Sequence, residues 1–201
     1  MTGTPVKAGS ETPPREDPVA AKPRSRVVLW TSLGVAVVIA VLVAVLAAAR
    51  PTTSSNNSSP LVGKAAPPVA GPALNGGGSY SLSQFSGKWV LVNFSASWCV
   101  PCQEEMPQLQ SFTNQHAKSG DAVVLAVAFD PSDVSHLAGY LRSIHATWPA
   151  VNDPSAEVAY GVSQIPQSYL VDPQGTVVAK FFGALTASQV DKVITKATGG
   201  G

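Results

Sequence analysis

The sequence predicts an α/β protein, a central mixed β-sheet flanked by helices on both faces and preceded by a single transmembrane helix. Three observations predict it. From Trp89 onward, apolar strand-like runs alternate with helix-like periodic runs, which suits a sheet with helical cover. The series then closes with two strand-like runs about a tight turn and a last amphipathic stretch, which adds antiparallel pairing to that sheet. Apart from both stands an uncharged run of 23 residues, Val27–Ala49. At 201 residues, 45% hydrophobic and 12% charged, the chain can bury one ordinary core but not two large domains.

The first elements concern the membrane. Residues 1–26 are rich in Pro, Thr, Lys and Glu and cannot bury enough apolar surface to offset their ordering entropy, so a disordered cytoplasmic tail is expected. As a helix, Val27–Ala49 reaches about 34 Å, enough to cross a hydrocarbon layer of about 30 Å. Lys22, Arg24 and Arg26 precede it with no acid among them, while only Arg50 follows closely. The positive-inside tendency then keeps the N-terminus in the cytoplasm and places everything from Pro51 outside, as a single-pass protein of the cell membrane. Cleavage after Ala47-Ala48-Ala49 is the competing reading, but the apolar run and the leader before it are longer than a signal peptide carries. A retained signal anchor is expected. Residues 50–60, with "PTTSSNNSSP", form a polar linker bearing N-x-S sequons at Asn56 and Asn57, and the extracytoplasmic domain occupies residues 61–198.

Within that domain, "PPVAGPALNGGGSY" alternates apolar residues with turn formers and predicts a short irregular hairpin between Val69 and Leu82. Trp89–Ala96 is a buried strand. A helix follows from the cysteines through "CQEEMPQLQSFTNQHAK", with Pro107 expected to kink it. Ala122–Asp130 is a second buried strand. Ser132–Ala146 is an amphipathic helix, capped by Ser132 or Asp133, with Val134, Leu137, Leu141 and Ile144 facing the core. After an extended piece at "WPAVND" and a helical turn at "SAEVAYGV", two strand-like runs about Pro-Gln-Gly predict an antiparallel hairpin. Thr186–Thr198 closes the domain as a helix with Val190, Val193 and Ile194 on its apolar side.

The chemistry sits in "SASWCVPCQEEMPQL", which holds both cysteines of the chain, Cys99 and Cys102. A structural zinc site needs four donors, and one C-x-x-C supplies two; His116, His136 and His145 form no H-x3-5-H pair, so no metal is expected. As a staple the pair closes only a minimal loop and stabilises little. Redox exchange remains. A cysteine at the first turn of a helix meets unpaired N–H groups and the positive end of the dipole, both of which favour thiolate. Cys99 is therefore the expected nucleophile, and Cys102, one turn further in, the residue that resolves the mixed disulfide. Pro101 suits the opening turn, where its missing N–H is not needed. No small-molecule cofactor is required beyond a redox-active Cys99-Cys102 disulfide.

"VLVNFSASWCVPCQEEMPQL", followed about sixty residues on by "YGVSQIPQSYLVDPQGTVV", resembles the thioredoxin-like fold. Within it, the chain is similar to the membrane-anchored thiol-disulfide oxidoreductases of the TlpA/ResA-like family, which includes cytochrome c maturation thioredoxins. The resemblance covers residues 61–198. It implies a cis bond at Ile165-Pro166 facing the cysteines, with backbone beside Pro166 open to pair with a substrate chain. Trp98, Pro101, Ile165 and Pro166 become the expected substrate contacts. It also implies that Glu105, three residues after Cys102, modulates thiol acidity, by repelling thiolates or relaying their protons. Cytoplasmic thioredoxins carry a buried Asp six residues before the first cysteine, whereas this chain has Asn93. Ser95 stands where an aromatic is common and Gln167 where Thr is usual; both are expected where substrates dock.

The expected function is thiol-disulfide exchange with exported proteins that carry cysteines, more as reductant than as oxidant, with cytochrome c maturation as one setting. A reductant needs a membrane electron donor, because cytosolic reductants cannot reach it. Three alternatives differ in kind: a disulfide-forming oxidant, a peroxidase on the same fold, and a non-catalytic binding module for exported chains. The peroxidase context Pro-x-x-x-Thr-x-x-Cys is not supplied by "NFSASWC". After residue 60 the chain has seven Lys and Arg and nine Asp and Glu with no basic stripe, which excludes nucleic acid as a partner. His116, His136, His145 and Trp148 are expected as surface or core residues.

Overall fold

The computed structural model describes residue 30, residues 34–42 and residues 59–199. The chain divides into two units, Met1–Pro51 and Thr52–Gly201. In the first, residues 34–42 are helical with exposed side chains. Among the described residues no helix is long and apolar enough to cross a membrane. The expected tail, most of the expected span at 27–49 and most of the linker lie outside the described residues. Ser59 and Pro60 already belong to the folded domain, because the Val62 N–H closes a turn on the Ser59 carbonyl at 3.1 Å.

The second unit has the thioredoxin-like architecture. A hairpin of β1 (Ala70–Pro72) and β2 (Ser79–Ser81) leads through a 3-10 turn, Leu82–Phe85, to β3 (Trp89–Ser95). Then come α1 (Val100–His116), β4 (Ala122–Ala128), α2 (Val134–Ser143), β5 (Ala150–Val151) and α3 (Pro154–Tyr160). The antiparallel pair β6 (Gln167–Val171) and β7 (Val177–Phe182) and the last helix, α4 (Ala187–Ala197), complete it. The five-stranded sheet runs β5-β4-β3-β6-β7, with β3 parallel to β4 and antiparallel to β6.

Every residue of β3 is buried, as a central strand covered on both sides demands. Trp89 and Leu91 face a core built with Met106, Leu109 and Phe112 of α1, Leu137 and Leu141 of α2, and Val190 and Ile194 of α4. Val90, Val92 and Phe94 face the other core, with Ala156 and Tyr160 of α3 and Val69. Phe94, Tyr160 and Tyr169 pack there with centroids 4.9–6.3 Å apart. At Gly71 any side chain would run into the Asn152 backbone carbonyl, so only glycine lets β1 lie against the segment after β5.

Helix α1 carries Pro107 inside it, and the missing N–H leaves the Gln103 carbonyl without its helical donor. One local expectation changes. Helix α2 is shorter than the sequence pattern and begins without a side-chain cap: Asp133 holds the N-cap position, but its carboxylate is engaged elsewhere.

Candidate active site

Strand β3 delivers the chain to the start of α1, and the cysteines sit at that junction. Cys99 is the N-cap residue of α1, in extended conformation, and its Sγ accepts the Cys102 N–H at 3.2 Å. The two sulfurs are joined at 2.07 Å. Cys99 is 5% exposed and Cys102 0%, so an incoming sulfur reaches Cys99 first. Helix order favours a charge on the same atom, since the free N–H groups and the positive dipole end converge on it. Cys102 lies one turn deeper, in line behind it.

Around the pair, Trp98 (57% exposed) and Val100 (61%) turn apolar surface to solvent beside exposed Pro101. Half-buried Ile165 packs against the cluster of Ala96, Cys99 and Cys102. The Ile165-Pro166 bond is cis. The carbonyl of buried Pro166 accepts the Gly183 N–H at 3.0 Å, which ties the segment after β7 to this corner. Trp98, Pro101 and Ile165 thus gather about the sulfurs, and Pro166 lies behind Ile165.

Glu105 is fully buried, whereas Glu104 beside it is exposed. One Glu105 oxygen accepts from Asn93 Nδ2 at 3.1 Å and the other from the Leu185 N–H at 3.2 Å. Burial penalises the carboxylate and raises its pKa to about 7, against the pull of the Leu185 and Asn93 donors. Asn93 also donates to Ser168 Oγ at 2.9 Å, so β3, β6 and α1 share one buried polar cluster behind the cysteines.

Ser95 and Gln167 differ from expectation. Their exposures are 0% and 2%, because β3 and β6 are buried on both faces, so neither side chain is open to a docked chain. Gln167 donates to the Tyr169 hydroxyl at 2.7 Å, which in turn donates to the Tyr160 carbonyl at 2.6 Å. Trp148 belongs to the core and His136 to the surface. His116 bridges Asp121 and Asp191 at 2.9 and 3.1 Å.

Sequence reasoning did not single out Ser97, Gln103 or Asp130. Ser97 takes the Asp133 carboxylate, and Gln103 reaches back to the Ser97 carbonyl at 2.6 Å. Asp130 is held below the ordinary carboxylate range first by the Ser132 hydroxyl, then by the Ser132 N–H and, among smaller effects, by the side chain of Trp98. The acid-bearing turn after β4, from Asp130 to Asp133, was the available signal.

Comparison with known proteins agrees with this geometry. The family model for AhpC/TSA matches residues 62–180. The thiol-disulfide oxidoreductase ResA of Bacillus thuringiensis subsp. konkukian is 30% identical over 139 residues, covering 68% of this chain and 79% of the relative. ResA of Geobacillus kaustophilus is 30% identical over 173 residues, covering 85% of this chain and 95% of the relative. Among solved structures, the thioredoxin domain of a thiol-disulfide oxidoreductase from Bacteroides vulgatus superposes with a TM-score of 0.58 at 28% identity, over 69% of this chain and 99% of that one. The chain therefore belongs to the AhpC/TSA family, in its TlpA/ResA-like group of thiol-disulfide oxidoreductases.

Proposed function

We propose that this oxidoreductase is tethered to the membrane by Val27–Ala49, with its domain outside the cytoplasm, and that it reduces disulfides of exported proteins. One observation carries the direction: Glu105, fully buried, lies one helical turn beyond Cys102. A carboxylate in low-dielectric surroundings disfavours thiolate nearby. Whatever destabilises the reduced pair makes it a stronger reductant, just as a stabilised reduced form makes an oxidant.

The exchange then runs in two displacements. Cys99 thiolate attacks one sulfur of the substrate disulfide; a Cys99–substrate disulfide forms, the substrate bond breaks, and one substrate thiolate leaves. Cys102 gives up its proton and attacks Cys99 Sγ, and the second substrate thiolate leaves. Two electrons have passed to the substrate, and the Cys99-Cys102 bond has formed. Glu105, whose pKa burial raises to about 7 and which lies one helical turn from Cys102, can exchange a proton near neutrality and so help Cys102 lose its own. A membrane electron donor returns the pair to dithiol.

Trp98, Pro101 and Ile165 form the docking surface, with buried Pro166 setting the cis bend next to Ile165. Among the described residues, neither the N–H nor the C=O of Ile165 bonds another backbone group, which supports pairing with an extended substrate chain. Substrates are exported chains with oxidised cysteine pairs, and apocytochrome c before haem attachment is one of that kind. Equilibrating Cys99-Cys102 with a glutathione series tests the direction. A potential well below that of glutathione is expected; one near that of strong disulfide-forming oxidants refutes the reductant reading.

A further inference from the structure

We propose that Asp133 is a positioning residue for the reactive pair: its carboxylate, diverted from the start of α2, braces Ser97 and thereby fixes Cys99 at the start of α1. Asp133 stands at the N-cap position of α2 yet makes no side-chain cap bond there. One of its oxygens accepts the Ser97 N–H at 2.5 Å and the other the Ser97 hydroxyl at 2.5 Å. The carboxylate is 7% exposed, so both bonds are shielded from water.

The brace is complete on the other side as well. The Ser97 carbonyl accepts from Gln103 Nε2 at 2.6 Å, and Gln103 belongs to the first turns of α1. Every polar group of Ser97 is therefore held, two by Asp133 and one by the cysteine helix. Asp133 itself is anchored, with its N–H on the Asp130 carbonyl at 2.9 Å and its carbonyl receiving the Leu137 N–H at 2.8 Å.

Ser97 lies outside every helix and strand, two residues before Cys99. The brace gives up a helix cap to order a short loop, and what that loop orders is the position of Cys99 Sγ over the first N–H groups of α1. No sulfur takes part in it, so it holds the loop whether the pair is oxidised or reduced. It serves exchange in either direction and does not depend on the reductant reading above.

The test is the pH profile of Cys99 alkylation by iodoacetamide in the full chain, on a Cys102→Ala background. His136 Nδ1 lies 3.7 Å from an Asp133 oxygen, so His136→Gln is made in every sample to remove that contact; Glu105, behind the pair, is the same in every sample, and only the difference between midpoints is read. Asp133→Asn is expected to move the midpoint upward by about one pH unit, which is about tenfold less thiolate near neutrality. Ser97→Ala, which loses only the hydroxyl bond, moves it the same way by less. An unchanged midpoint overturns the proposal. So does a downward move, which is what deleting a neighbouring negative charge would produce by itself. Near-UV circular dichroism verifies the fold of each variant, and Ser97→Ala carries the test should Asp133→Asn not fold. Reduction of a protein disulfide by the unaltered chain is read separately, so failure of the reductant reading leaves this profile interpretable.

Discussion

Asn93 Nδ2 donates to Glu105 across 3.1 Å, joining the middle of β3 to the cysteine helix inside the protein. The bond places a neutral donor against a carboxyl group that burial drives toward its protonated form. Removing the donor favours that form further. Asn93→Ala is expected to raise the Glu105 pKa above its present value of about 7, as read by carbon-13 NMR of the labelled carboxyl group.

Glu105 also makes folding stability depend on pH, and the sign follows from the direction of its shift. A folded-state pKa of about 7 against an ordinary glutamate value of 4.5 means that the folded protein holds this proton more tightly than the unfolded chain. Its contribution is fully present below about pH 4.5 and is lost as pH rises to about 7. Across that window, wild type should lose about 3 kcal/mol relative to Glu105→Gln, from a shift of about 2.5 units at 1.36 kcal/mol each. Urea unfolding at pH 4.5 and pH 8 measures the difference.

His116 works at a higher pH. Burial alone would lower its pKa, but hydrogen bonds to Asp191 and Asp121 and their charges outweigh that and raise it. The charged form is favoured in the fold, so this stability is fully present below about pH 6.5 and declines as pH rises through the raised value. In His116→Gln that decline should vanish from thermal unfolding recorded between pH 6 and pH 9.

Cys99→Ser and Cys102→Ser should each reduce disulfide-reductase turnover to background, while Cys102→Ala accumulates substrates linked to Cys99. A binding module would keep its activity in vivo in both serine variants. Rapid peroxide consumption by the reduced domain would favour the peroxidase alternative.

Gly71→Ala should cost about 1–3 kcal/mol in chemical denaturation, the range for forcing extra volume into a packed site. Its added carbon meets the Asn152 backbone, which cannot swing aside as a side chain could.

The sheet and helices were legible because Ala122–Ala128 is an unbroken apolar run and Trp89–Ser95 is apolar except for Asn93 and Ser95, while Leu137, Leu141, Val190 and Ile194 repeat at helical spacing. The cysteine pair was legible from spacing and from Pro101. The burial of Glu105 was not legible, since an acid in the first turns of a helix ordinarily complements the dipole in solvent. What buries it comes from 12 and 80 residues away, at Asn93 and Leu185. Asp133 failed as a cap for a similar reason: a local rule cannot see that Ser97, 36 residues earlier, competes for the same carboxylate. Ser95 and Gln167 were placed at a docking surface by family resemblance alone, and the cover on both faces of β3 and β6 buries them instead.

The short hairpin before β3 has a consequence for life among neighbours. Ala73 bridges Val151, Leu74 donates to Ala150 and Asn152 donates to Pro72, so the outer rim of the sheet at β5 is occupied along its whole brief length. A rim left bare templates strand addition between molecules. With that side sealed by its own chain, the domain resists sheet-to-sheet aggregation there when many copies crowd together, and keeps its open backbone for the corner at Ile165.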